Sequence, residues 1–240
     1  MRLLLIAAML PLAACHSNAE RKEGHAAQPQ GTGGTRSFSV ANFDSIDLRG
    51  PDDVDVKVGP RFSVTAEGDT AVLDTLDIRV VNGDLRIGRE KGSTWFGKDN
   101  GAVRIHVVAP RISDTTIAGS GNLSVDRVEG DVDASIAGSG NLVIGAMQAT
   151  DAELSIAGSG NMKVAGGTQR LVVNIAGSGD VDSTGLTATS GDVSVAGSGS
   201  LRGRVKGDVS VSLIGSGDVE LTGGARCKTS ALGAGEARCS

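Results

Sequence analysis

The chain is expected to be all-β and wound as a β-solenoid, with coils of about 19 residues. Three observations predict this. A glycine motif recurs at near-constant spacing. Apolar and polar residues alternate with period two around each copy. Glycine supplies 36 of 240 residues while Tyr is absent and only one Trp and four Phe occur. That glycine content disfavours long helices, because each interior Gly costs about 1 kcal/mol relative to Ala. The 39% hydrophobic content is too high for outright disorder. With 23 basic and 28 acidic residues well mixed, no basic stripe marks a nucleic-acid partner.

Residues 1–14 read as a signal peptide. Arg2 precedes the apolar run Leu3–Leu10, which is too short to span a bilayer. The run ends in Leu12-Ala13-Ala14-Cys15, which resembles the lipobox of bacterial lipoproteins. The resemblance implies cleavage before Cys15 and a lipid anchor on it, the one membrane contact expected. His16 follows the Cys, where an Asp would favour the inner membrane in enterobacteria, so the expected address is the outer membrane. Residues 15–36 form a flexible tether without periodicity. His16 and His25 in it are read as solvated residues, and no metal ligands are expected.

Residues 37–110 are an N-terminal β section of longer, less regular coils. Val54, Val56 and Val58 alternate with Asp53, Asp55 and Lys57. Asn82-Gly83-Asp84 marks a turn between Ile78-Arg79-Val80 and Leu85-Arg86-Ile87. Val103, Ile105 and Val107 share one face, which leaves His106 outward. The polar stretch 89–101 reads as a loop or bulge. Its Trp95-Phe96 pair either anchors a partner or covers a core end. Either coils stacked on the repeat or a separate sheet fits this section.

Residues 111–240 carry the repeat. Ile117-Ala118-Gly119-Ser120-Gly121-Asn122-Leu123 recurs with first glycines at 119, 138, 158, 177, 197, 215 and 233. If Ile117 points inward, so do Gly119, Gly121, Leu123 and Val125, while Ala118, Ser120, Asn122 and Ser124 point outward. Inward glycines let the chain bend and pass close to its neighbour. Gly130-Asp131, Gly191-Asp192 and Gly207-Asp208 suggest a second corner. Cys227 and Cys239 lie 12 residues apart and are expected to form a disulfide, with two free thiols as the alternative.

These segments resemble the head GIN domain family, described as an auto-transporter adhesin. The Ile-Ala-Gly-Ser-Gly-Asn/Asp-Leu/Val copies carry the likeness. So do Phe43-Asp44-Ser45-Ile46, Asp53-Val54-Asp55-Val56 and Val81-Asn82-Gly83-Asp84-Leu85. The resemblance implies a right-handed parallel β-helix on an exported, often lipidated bacterial protein. It supplies no catalytic residues.

Two functions are expected to compete. The first is a non-enzymatic envelope protein that binds a glycan or an envelope protein through outward rows. One row is Ser120, Ser139, Ser159, Ser178, Ser198 and Ser216; the next is Asn122, Asn141, Asn161, Asp180, Ser200 and Asp218. The second is a polysaccharide-active enzyme built on outward carboxylates. Asp180 and Asp218 share a row two coils apart, about 9.6 Å by strand spacing, with Asp182 and Asp192 nearby. No cofactor is expected: Gly-Ser-Gly lacks the third Gly and the Lys of nucleotide loops, and the GGxGxD calcium repeat is absent. Open solenoid ends invite edge pairing, so a dimer is one outcome.

Overall fold

A computed structural model describes Gly24, residues 26–90, Gly101 and residues 103–240. The signal peptide, Cys15, His16, His25 and the Trp95-Phe96 pair lie outside the described residues. The first strands are β1 (Pro29–Gln30), β2 (Thr35–Phe38), β3 (Ser45–Gly50), β4 (Asp53–Val58) and β5 (Ser63–Glu67). A single helical turn, α1 (Thr70–Leu73), is capped by the Asp69 carboxylate, which accepts the Ala71 N–H at 2.8 Å. Then come β6 (Leu76–Val81), β7 (Asp84–Arg89), β8 (Arg104–Ala109), β9 (Asp114–Gly119), β10 (Asn122–Glu129) and β11 (Val132–Gly138). Three long strands follow and bend round whole coils: β12 (Asn141–Gly158), β13 (Asn161–Gly177) and β14 (Val181–Gly197). The chain closes with β15 (Leu201–Val205), β16 (Asp208–Gly215), β17 (Val219–Thr222), β18 (Arg226–Gly233) and β19 (Ala237–Cys239).

From residue 114 onward every pairing is parallel, and the coils stack as a solenoid of about seven turns, about 19 residues apart. The pairing aligns the repeat with itself. Leu48, Ile117, Ile136, Ile156, Ile175, Val195 and Leu213 form one buried column. Val54, Leu123, Leu142, Met162, Val181, Leu201 and Val219 form another. Burial follows the period-two parity: Gly121, Leu123 and Val125 are buried, and Ala118, Ser120, Asn122 and Ser124 are exposed. Each coil's apolar face is thus covered by its neighbours, as repeat coils without aromatic residues require.

Coil lengths differ, and the difference is absorbed at corners. The β14–β15 register jumps between Ser183 and Thr187, which removes the extra residues of the longer coil. The three Gly-Asp pairs do not form one corner, contrary to expectation. Gly130 turns between β10 and β11, and Gly207 lies just before β16. Gly191 instead pairs within a straight run, between Leu171 and Val209, because the varying coil lengths shift it by two positions.

The N-terminal section belongs to the same stack, but not in chain order. β3 and β4 form a coil that lies directly on β9 and β10. β7 and β8 pair parallel to the other side of β3 and β4, so they are the outer layer. The chain therefore builds the cap outward and returns past Pro110 to begin the repeat. Antiparallel strands finish this end. β6 joins β7 through a hairpin whose turn residues Asn82 and Gly83 have φ of 55° and 97°. β5 joins β8, and β2 joins β5. Phe43 and Phe62 pack at 4.9 Å between centroids on its flank. Part of the stretch read as tether is ordered here: β1 pairs with β2, and the Ala27 N–H donates to Ile78 on β6 at 2.8 Å. These residues cover sheet edges that would otherwise lie bare.

Candidate functional site

The repeated corner is built from backbone. In each copy the first glycine has positive φ, for example 137° at both Gly138 and Gly158. Its carbonyl accepts two N–H groups from the next coil: Gly138 receives Ser159 at 2.9 Å and Gly160 at 3.1 Å. The column continues into the cap. Gly50 pairs with Gly119, so Leu48-Arg49-Gly50 is a diverged copy that sequence comparison of the motif misses, since Pro51-Asp52 replaces Ser-Gly. Asp52 takes the place of the second glycine, where the column ends. It is fully buried, accepts the Val103 N–H at 3.3 Å, and is clamped by the Arg89 guanidinium with Nε at 3.1 Å.

The Asn row is a hydrogen-bonded ladder along the axis. Asn122 Nδ2 donates to Asp53 at 2.8 Å, Asn141 Nδ2 to Asn122 at 2.8 Å, and Asn161 Nδ2 to Asn141 at 3.1 Å. The side chains of Asn161, Asp180, Ser200 and Asp218 then accept the backbone N–H of the next coil. The sequence places this row on the outside, which holds, and at least one side-chain polar atom of each member is engaged at the corner. The carboxylates of the alternative catalytic pair are engaged in the same way: Asp180 accepts the Ser200 N–H at 2.8 Å, and Asp218 accepts the Glu236 N–H at 3.0 Å. The hydroxyls of Ser120, Ser139, Ser159, Ser178, Ser198 and Ser216 are exposed, and no hydrogen bond to them occurs among the described residues.

A shallow groove lies on the neighbouring side, formed by the outward residues of β11, the later halves of β12 to β14, β16 and β18. One row reads Ser135, Ser155, Asn174, Ser194, Ser212 and Ser230; beside it run Ala137, Ala157, Ala176, Ala196, Ile214 and Leu232. The alternation of Ser135 with Ala134 and Ile136 was the available signal, but nothing in the alternation says which outward side is concave. Its upper border holds Asp114, Asp133 and Glu153 in adjacent coils. Burial first, then Glu153 and Asp114, raises the Asp133 carboxyl above the ordinary range. Among the described residues, no three His, Cys, Asp or Glu side chains converge as a metal site.

At the C-terminal end Cys227 and Cys239 are joined as a disulfide, with Cα atoms 6.2 Å apart. They occupy the inward positions beneath Val209 and Leu221, so the bond ties two sides of the last coil across its end.

The architecture and surface define a class: a β-solenoid that presents polar rows and a shallow groove. A family model covers residues 42–225, and the chain belongs to that family, the head GIN domain, described as a "putative auto-transporter adhesin". Three solved structures share the fold. A "putative adhesin" from Bacteroides fragilis is 17% identical with a TM-score of 0.78, over 86% of this chain and 96% of that one. A "putative adhesin" from Parabacteroides distasonis is 19% identical with a TM-score of 0.68, over 86% and 96%. A "putative lipid binding protein" from the same organism is 21% identical with a TM-score of 0.63, over 88% and 96%. No curated protein matches the chain. The family description points to adhesion rather than catalysis and to an extracellular or envelope setting.

Proposed function

We propose that the chain is an exported, non-enzymatic protein, anchored to the outer membrane by lipid on Cys15, that binds an extended envelope glycan along the side of its solenoid. The observation that carries the reading is the repeated, exposed hydroxyl. Ser residues stand on successive coils in the corner row and, with Asn174 taking one place, again in the groove, with small Ala neighbours over its first four coils. A polymer of repeating polar units matches a surface that repeats at strand spacing, about 4.8 Å. The Asn row serves the corner and is not part of this surface. Support for the address is the Leu12-Ala13-Ala14-Cys15 segment followed by His16.

The test is binding of the full chain to arrayed glycans and purified envelope polymers. Ser155→Trp and Ser194→Trp fill the groove without touching the core, and both are expected to abolish binding. No binding to any polymer, or binding indifferent to both substitutions, sinks the reading. Cys15→Ser should move the protein from the membrane to the soluble fraction; unchanged membrane retention refutes the anchor.

A further inference from the structure

The two ends of the solenoid are finished differently. At the N-terminal end, antiparallel strands and residues 27–30 cover the outer edges. At the other end, β18 pairs with β16 along one edge, and among the described residues no strand pairs with its other edge. Alternate residues of this eight-residue strand thus present their backbone donors and acceptors at a sheet edge, which is a template for another strand.

The charges that flank this edge have a pattern. Outward charges alternate in sign from coil to coil, as in Lys163, Asp182, Arg202, Glu220 and Arg238. Neighbours in that row pair at 3.8 Å, Lys163 with Asp182 and Arg202 with Glu220. A second row runs from Asp208 to Arg226, paired at 2.8 Å. Arg226 on β18 and Arg238 on β19 end these rows, and Lys228, stacked on Ser210, follows Arg226 on β18, so the last coil carries three outward cations. Lys228 has no ion-pair partner among the described residues. Leu232, the seventh of the eight residues of the same strand and on its outward face, is 73% exposed.

We propose that this edge docks an extended polypeptide strand bearing acidic residues at positions i and i+2 and an aliphatic residue at i+6. One acidic residue continues the Asp208–Arg226 alternation, the other gives Lys228, which stands over Ser210, a counter-charge, and the aliphatic residue covers Leu232. Main-chain hydrogen bonds to β18 supply the attachment, and the side chains supply selection. A second copy of the chain is the poorer occupant, since it brings the same three cations to the contact. This edge adjoins the last coil of the groove and shares Lys228 and Ser230 with its lining. It does not use Ser155 or Ser194, so Ser155→Trp and Ser194→Trp are expected to leave peptide binding unchanged.

Labelled nine-residue peptides, titrated against the full chain by fluorescence anisotropy, test this. One peptide carries Glu at i and i+2, Ser at i+4 and Leu at i+6 on a Thr/Val background; a second has the reverse order, for antiparallel docking. One of the two is expected to bind. Lys in place of Glu, or N-methylation of alternate amides, should abolish binding. Lys228→Glu, an exposed change whose fold is checked by circular dichroism, should weaken the Glu peptide by about tenfold or more and admit the Lys peptide. The proposal is overturned if neither Glu peptide binds, or if N-methylation has no effect. It is also overturned if Lys228→Glu shifts a monomer–dimer equilibrium, which assigns the edge to a second copy. Loss of binding to anionic lipid vesicles in Lys228→Glu, with peptide binding unchanged, overturns it as well.

Discussion

Gly158 lies so closely over Gly138 that a β-carbon on it would stand 2.2 Å from the Gly138 carbonyl oxygen. The same approach lets that carbonyl accept two N–H groups from the coil above. The corner therefore needs glycine twice over, for close contact and for a φ of 137°. Gly158→Ala is expected to cost about 3 kcal/mol or more in chemical denaturation, by strain and by separation of the coils. Ser159→Ala, one residue on and exposed, should stay within about 0.5 kcal/mol of the parent.

The Asn ladder makes a sharper prediction. Asn141 donates to Asn122 and accepts from both the side chain and backbone of Asn161. Asn141→Ala should cost about 1–2 kcal/mol. Asn141→Asp should also destabilise, because a carboxylate cannot donate to Asn122 and would face its oxygen. Melting both variants beside the parent checks this; a neutral Asn141→Asp contradicts the ladder.

Asp52 and Arg89 close the N-terminal end of the glycine column, with side chains 1% and 12% exposed. Removing one partner strands a buried charge, so Asp52→Ala should cost about 3–5 kcal/mol. Asp52→Gly combined with Arg89→Met should recover much of that loss, since glycine is what the column carries elsewhere. A double-mutant cycle measures the coupling.

Two carboxylates set opposite pH dependences. Burial, with like charge from Glu153 and Asp114, holds Asp133 high. Its ionised form costs stability at neutral pH, and the cost disappears as pH falls below the ordinary carboxylate range. Asp133→Asn should therefore stabilise at neutral pH, with a gain that vanishes in acid. The Thr184 hydroxyl and then its N–H hold Asp182 low. Its contribution is present above the ordinary range and is lost as pH falls through the depressed value. Asp182→Asn should destabilise at neutral pH only. Thermal melts from neutral into acid distinguish the two.

The disulfide closes a loop of about 12 residues in the last coil. Cys239→Ser should cost about 2–3 kcal/mol. The last coil has a neighbour on one side, so the loss should appear first as faster amide exchange in β18 and β19.

The recurring Ile-Ala-Gly-Ser-Gly segment was readable because its spacing is covalent and its parity follows from strand geometry. Ile117 and Leu123 lie inside, and Ala118 and Asn122 outside, as alternation alone requires. The Asn82-Gly83 hairpin was readable for the same local reason: both residues tolerate positive φ. Gly50 was not, because Pro51 and Asp52 hide its kinship to Gly119 until the strands are paired. Gly191-Asp192 misled because a shared dipeptide does not fix register when coil lengths vary.

The sequence by itself determined the winding: the period, the glycine corners, and which side chains face in. Only the tertiary structure decided the order of the cap, with β3 and β4 inserted between the strands that follow them, and the use of Asn122 and Asn141 as struts. It also decided which outward side is hollow and which end keeps a free edge. Period and parity are properties of a chain with itself over a few residues. Concavity, capping and edge exposure arise between residues 19 to 69 positions apart, where no local propensity acts.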